Sequence, residues 1–170
     1  MREIKFRAFV VKERLDDLGS NMHLAGVSQY EVVVDVVDIS FSNGAIDYVT
    51  DAEGYEYSFT NGNLKSVIQY TGLHDKTKWE DLTEQEQHEW LQKGKAQEDW
   101  KGKEIYEGDI VRISDHPFHG SWTVNGNYEV GYNEQMELCC GSWLLFREKH
   151  YAEVIGNIYE NPELLKGEGN

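Results

Sequence analysis

Disulfides, positive charge and long apolar runs are all scarce in this chain. Among 170 residues there are two prolines and two cysteines, and the cysteines, Cys139 and Cys140, are neighbours. Adjacent residues of a strand face opposite ways, so a disulfide between them would need a strained turn, and two reduced thiols in a cytoplasm are expected. Lys and Arg total 16 against 31 Asp and Glu, a formal charge of −15. Such a surface repels phosphate backbones at long range, which disfavours direct nucleic-acid binding. The densest basic segment is Arg2, Lys5, Arg7, Lys12 and Arg14. The opening MREIKFRAFVVKERLDD is broken by charge, so neither a signal peptide nor a membrane span is expected there, and the expected location is the cytoplasm. What is plentiful is large apolar surface: five Trp, ten Tyr and 39% hydrophobic residues, enough for a folded core without a metal or disulfides.

The first third alternates at a period of two. Ile4, Phe6, Ala8 and Val10 are spaced by Lys5, Arg7 and Phe9. VSQYEVVVDVVDISFS then puts apolar residues on both faces, the pattern of a central or doubly packed strand. GAIDYVTD and GYEYSFTNG alternate again, and Asn61-Gly62 is a tight-turn signal leading into NLKSVIQYTG. Residues 78–99 change character: β-branched residues nearly vanish, and Thr83 with Glu86 has capping-box spacing. That predicts a helix over about 83–93, ended by Gly94, with Leu82, Trp90 and Leu91 as its thin apolar stripe. From Ile105 the stretches IVRI, SWTV, NYEVGYN, MELCCGSWLLF and YAEVIGNIY read as short strands of a small bent barrel. NPELLKGEGN closes it, with Asn161 as a cap, Pro162 opening a helical turn and Leu164 and Leu165 tucked beneath. The expected fold is mainly β with minor α: an N-terminal β meander over 1–77, an inserted helical segment over 78–102, and a C-terminal small antiparallel barrel over 103–170.

Candidate chemistry is thin. His116, His119 and Asp115 share a loop, but zinc needs three or four ligands and no further Cys or His is spaced to complete the set, so a polar loop is the better reading. Cys139 or Cys140 with His150 is a conceivable nucleophile and base, yet MELCCGSW reads as a strand in which small thiols pack. Glu107 with Asp109, or Asp35 with Asp38, would form an acid/base pair only if burial separated their pKa values. Trp122, Tyr128, Tyr132, Trp143 and Tyr151 suit a core or a protein interface better than a base-stacking platform, because no basic groove accompanies them. The tripeptide Ile-Tyr-Glu occurs twice, in KEIYEGDIV and GNIYENPEL, each time ahead of a breaker. The two copies are expected to mark the entrance and exit of one unit, with Tyr106 and Tyr159 near each other.

MREIKFRA at the start, QYTGLHDKT at 69–77, GKEIYEGDIV at 102–111 and VIGNIYENPELL at 154–165 together resemble the YopX family of phage and prophage proteins. The resemblance implies a mainly β fold, assembly into homo-oligomers and a bacterial host cytoplasm; it carries over no catalytic residue. Family members pass almost directly from the Tyr-Thr-Gly-Leu stretch to Gly-Lys-Glu-Ile-Tyr, so residues 78–99 read as a variable insertion at the surface of a hinge.

The function expected from these observations is protein–protein contact without catalysis, with the chain itself and a host or phage protein as partners, and no cofactor or metal. The residues assigned to the contact surface are Tyr70, Trp90, Tyr106, Glu107, Asp109 and Tyr159. Two alternatives stand beside it. One is an acidic mimic of nucleic acid that occupies a host DNA-binding protein; the other is a carboxylate- or metal-dependent hydrolase.

Overall fold

The computed structural model describes residues 3–16, 26–118 and 123–166, so His119 and Trp122 lie outside the described residues. The fold is mainly β with minor helices, built on antiparallel sheets. The chain divides into two compact units, Ile4–Gln69 and Tyr70–Asn170, the latter with residues 1–3.

In the first unit, strands β1 (Phe6–Asp16), β2 (Gly26–Ser42), β3 (Ala45–Asp51) and β4 (Glu56–Tyr57) form a meander, and the start of β5 (Leu64–His74) returns to the far side of β1, giving the order β4-β3-β2-β1-β5. The period-two alternation sets the faces: Phe6, Ala8 and Val10 lie opposite Val36, Val34 and Val32. Ala8, Val10, Val49, Tyr57 and Leu64 are buried there, with those valines packed against them. The two-residue hairpin turn with both φ values positive is Asn43-Gly44. At Asn61-Gly62 only Gly62 is left-handed, and Asn63 organises the loop instead, accepting from the Ser58 amide at 2.8 Å. This shortens β4 to two residues and leaves Tyr55 and Phe59 exposed, where the alternation predicts strand. The long β2 run pairs with β1 up to Val36 and with β3 from Val36 onward, so it has strands on both sides only at that residue; none of its residues is fully buried, and it is not packed on two sides.

In the second unit the remainder of β5 pairs with β6 (Glu104–Tyr106). A separate sheet has the order β10-β9-β8-β7-β11, formed by β7 (Asp109–Ile113), β8 (Gly126–Tyr132), β9 (Leu138–Cys140), β10 (Trp143–Leu144) and β11 (Ala152–Asn157). The expected barrel does not close. Closure needs long tilted strands, whereas β9 and β10 have three and two residues. The chain leaves the sheet at Leu145, where WLLF turns into α2 (Leu145–Glu148) rather than continuing as strand, and Leu145 is fully buried against Ile105, Val111, Ile113, Val130 and Cys140.

The helical segment follows its capping box. Helix α1 (Glu84–Gln92) starts at Thr83, whose hydroxyl accepts from the Glu86 amide while Glu86 reaches back to the Thr83 amide at 2.9 Å, and Gly94 turns the chain away with φ +72°. No residue of α1 is fully buried and Leu91 is exposed. Its anchor is aromatic: Trp90 meets Trp100 edge-on at 4.9 Å, Trp100 meets Trp79 at 6.2 Å, and the Trp100 indole donates to the Thr77 carbonyl at 2.9 Å.

Candidate functional site

The first unit holds a feature that the alternation does not announce. Pairing of β1 with β5 stops at Val10, and pairing of β2 with β3 begins at Val36. Between these limits, residues 12–16 and 26–30 pair only with each other among the described residues, a two-stranded ribbon. Glu13 accepts from Gln29 at 3.1 Å, and Ser28 accepts from Arg14 at 3.1 Å. The next pair, Leu15 and Val27, is 78% and 59% exposed. An isolated two-stranded ribbon is marginal in water, and opposed apolar side chains left in solvent on it forgo the burial that would hold it.

At the base of the ribbon sits a polar cluster. Asp51 is buried; its Oδ1 accepts from the Glu53 and Tyr55 amides at 3.0 Å, and its Oδ2 accepts from the Tyr57 hydroxyl at 2.8 Å. Lys12 Nζ lies 3.1 Å from Asp51 and 3.0 Å from Glu53. Burial pulls the Lys12 ammonium down, but its bonds to Glu53 and Asp51 outweigh this and hold it above the usual lysine range. Burial and the bond to Asp51 push Tyr57 up to about 12. Burial opposes ionisation of Asp51, while the Tyr55 amide, Tyr57 and Lys12 together keep its carboxyl below the usual value. The cluster borders a surface cavity of about 750 Å³ lined by Lys12, Tyr30, Glu53, Tyr55, Asn61 and Lys65 among others. All three groups are fixed in one protonation state through neutrality, the opposite of the tuning toward pH 7 that acid–base catalysis uses.

The second unit is tied by a different carboxylate. Asp75 is buried; its Oδ1 accepts from the amides of Thr77 (2.9 Å) and Lys103 (2.8 Å), and its Oδ2 from the Thr77 hydroxyl (2.8 Å) and the Val154 amide (2.9 Å). Gly102 lies so close that a Cβ there would come within 2.2 Å of the Asp75 carbonyl oxygen. The residue that follows the first Ile-Tyr-Glu copy meets the second copy. Gly108, at φ +75°, donates to Val130 and accepts from the Ile158 amide at 2.8 Å, and the Tyr159 ring lies over the space a Gly108 side chain would need. Asn157 ends β11 by accepting from the Tyr159 and Glu160 amides at 3.0 and 2.8 Å. Asn161 does not cap the turn Pro162–Leu165; its side chain lies against Gly156 instead.

These placements revise the surface assigned from sequence. Tyr70, Tyr106 and Asp109 are buried, and so are interior groups rather than a contact face. Tyr70 and Tyr106 pack at 5.4 Å, and Asp109 accepts from the Tyr106 amide at 2.7 Å to brace the turn into β7. Glu107, Trp90 and Tyr159 are half-buried. Asp35 is exposed beside Arg7 at 3.1 Å, and Asp38 is exposed beyond a bulge in β2. Cys139 and Cys140 are free and buried; burial first, then Glu148 and Cys139, push the Cys140 thiol up to about 12, which leaves it unreactive as a nucleophile. His116 Nδ1 accepts from the Phe118 amide at 3.2 Å, and Nε2 lies 3.1 Å from Glu148 Oε2. Among the described residues no three His, Cys, Asp or Glu converge on a point where a metal would bind. Sequence reading missed the Lys12–Asp51–Tyr57 cluster; its one local signal is Asp51 at the end of an alternating run, four residues before Tyr55.

No helix among the described residues is long and apolar enough to cross a membrane. Comparison with known proteins gives three results. No curated protein matches the sequence. The crystal structure of protein EF1440 from Enterococcus faecalis is similar over 97% of this chain and 99% of its own, at 24% identity and a TM-score of 0.46. The family model described as YopX protein matches residues 78–166, a span that includes the helical segment, the Gly-Lys-Glu-Ile-Tyr stretch and the second Ile-Tyr-Glu. That match covers more than half of the chain, which therefore belongs to the YopX family.

Proposed function

We propose that this protein acts by protein–protein contact, assembling with copies of itself, and without catalysis. The observation that carries the reading is the ribbon of residues 12–16 and 26–30, with Leu15 and Val27 held in solvent. Covering those two side chains returns on the order of 1.5–3 kcal/mol each, an incentive for association at one place on an otherwise strongly acidic chain. The fixed protonation states at Lys12, Asp51 and Tyr57, and the raised thiol of Cys140, support a role other than acid–base or thiol chemistry. The phage or prophage origin that the sequence motifs imply would set this contact in a bacterial cytoplasm.

Light scattering on the eluting protein tests the reading. Wild type is expected above monomer mass at tens of micromolar, and Leu15→Glu with Val27→Glu is expected to shift it to monomer with unchanged circular dichroism. A wild-type monomer throughout that range refutes self-association.

A further inference from the structure

We propose that the cavity at the base of the ribbon binds a neutral saccharide, stacked on Tyr30 and Tyr55 and hydrogen-bonded by the polar side chains around them. The cavity is lined only by residues of Ile4–Gln69, so it is complete in one chain and needs no second copy. Its volume, about 750 Å³, falls in the range of about 300–1,000 Å³ that small-molecule sites occupy. Alternate residues of a strand share a face, so Lys12 and its partner Tyr30 extend the face on which Val10 and Val32 close the core. The turns at 53–55 and 58–63 border this floor as walls, and both are tied down. Asp51 accepts from the Glu53 and Tyr55 amides at 3.0 Å, the Asn63 side chain accepts from the Ser58 amide at 2.8 Å, and the Asn63 carbonyl accepts from the Val11 amide at 2.9 Å. Walls held in this way present their side chains with little ordering cost on binding.

The lining selects the class of ligand. An apolar molecule would strip water from Lys65, Glu53, Glu56 and Asn61 and return no hydrogen bonds. An anion meets Glu13, Glu53 and Glu56 against two lysines, of which Lys12 already lies 3.1 Å from Asp51 and 3.0 Å from Glu53. A cation finds the Tyr55 ring taken, because the Lys12 ammonium sits 5.5 Å from its centroid. A peptide is poorly served, since the floor is the face of a strand pair whose backbone groups bond to one another. A neutral ligand with apolar faces and many hydroxyls meets none of these objections. Pyranose rings have C–H faces to lay on the tyrosines, which are 62% and 40% exposed at Tyr55 and Tyr30. Their hydroxyls both donate and accept, and so match the Glu56 carboxylate, the Lys65 ammonium and the Asn61 amide at once.

Saturation-transfer NMR on the full-length protein tests the site, with cellotriose, maltotriose and triacetylchitotriose as neutral probes and with trilysine, trialanine and inorganic phosphate beside them. Transfer is expected to at least one trisaccharide at concentrations up to about 10 mM, and to none of the other three probes. Tyr55→Ala removes an exposed ring but keeps the backbone amide that Asp51 holds, and is expected to weaken binding of that trisaccharide at least tenfold with unchanged circular dichroism. Asn61→Ala, also at an exposed position, is expected to weaken it in the same direction. Leu91→Ala, exposed in the second unit, is expected to leave it unchanged. Absence of transfer to all three trisaccharides overturns the proposal, as does transfer that Tyr55→Ala and Asn61→Ala both leave intact. Transfer to trilysine, phosphate or trialanine without any trisaccharide also overturns it, and gives the cavity to a cation, an anion or a peptide respectively.

Discussion

Replacing Asp75 by alanine should be among the most damaging single changes in the second unit. The carboxylate accepts four hydrogen bonds, three of them from backbone amides at Thr77, Lys103 and Val154. Alanine leaves those three amides without their acceptor in a site where Asp75 itself is only 5% exposed. An orphaned buried donor costs about 1–3 kcal/mol, and water reaching the new space recovers part of it, so the expected loss is about 4 kcal/mol. Against a typical domain stability of roughly 5–15 kcal/mol this is severe. Asp75→Asn is milder, about 2 kcal/mol: one oxygen still serves Thr77 and Lys103, while an amide nitrogen in place of the other faces the Val154 N–H, donor against donor. The assay is built into the sequence. All five tryptophans, at 79, 90, 100, 122 and 143, belong to this unit and none to Ile4–Gln69, so urea unfolding followed by tryptophan emission reports on the unit that Asp75 ties together. A loss below 1 kcal/mol for Asp75→Ala, or asparagine as damaging as alanine, would refute the account.

Gly102→Ala meets both a left-handed φ of +110° and the Asp75 carbonyl, whereas Gly94→Ala, at φ +72°, meets open space; the first is expected to lower the urea midpoint by well over twice as much as the second. Glu86 is held down to about 2, chiefly by its bond to Lys103 and then by the Thr83 amide. A depressed carboxyl stabilises fully above its ordinary value of 4.5 and loses that contribution as pH falls toward 2, so helical circular dichroism should decline across that window, and Glu86→Gln should flatten the decline. Lys12→Met strands the buried Asp51 charge and is expected to cost about 3 kcal/mol by thermal circular dichroism, part of it regained when Asp51→Asn is added.

Local rules wrote the parts of the fold that proved legible. The Thr83–Glu86 capping box and Gly94 bounded α1 because both devices act within one turn, and the Ile4–Val10 alternation set the face on which Ala8 and Val10 are buried. The left-handed Gly108 was equally readable, since a turn into β7 required it. What failed were inferences about how many layers cover a residue. VVVDVV suggests a strand packed on both faces, but its burial depends on neighbours that arrive only at Val36. WLLF is as compatible with a short helix as with a strand: after the Gly141 turn its first two residues still pair as β10, and the chain leaves the sheet only at Leu145. Tyr70, Tyr106 and Asp109 were legible as important and misassigned to the surface, because an aromatic with a polar tip satisfies core and interface equally. The Lys12–Asp51 cluster was out of reach for a different reason: nothing local to Lys12 says which carboxylate the β-meander will bring to it.

The Asp75 carboxylate also sets a timetable for the molecule's birth. Its partner amide at Val154 lies 79 residues further along the chain. At roughly 5–20 residues per second of synthesis, the aspartate waits about 4–16 s before that donor exists. During this interval Thr77 and Lys103 already supply three of its four donors, but the fourth is missing and the sheet that β11 completes is unfinished, leaving apolar surface accessible to chaperones and proteases. A chain that stalls before Val154 therefore keeps that vulnerability, while one that reaches it acquires the bond joining its early and late segments.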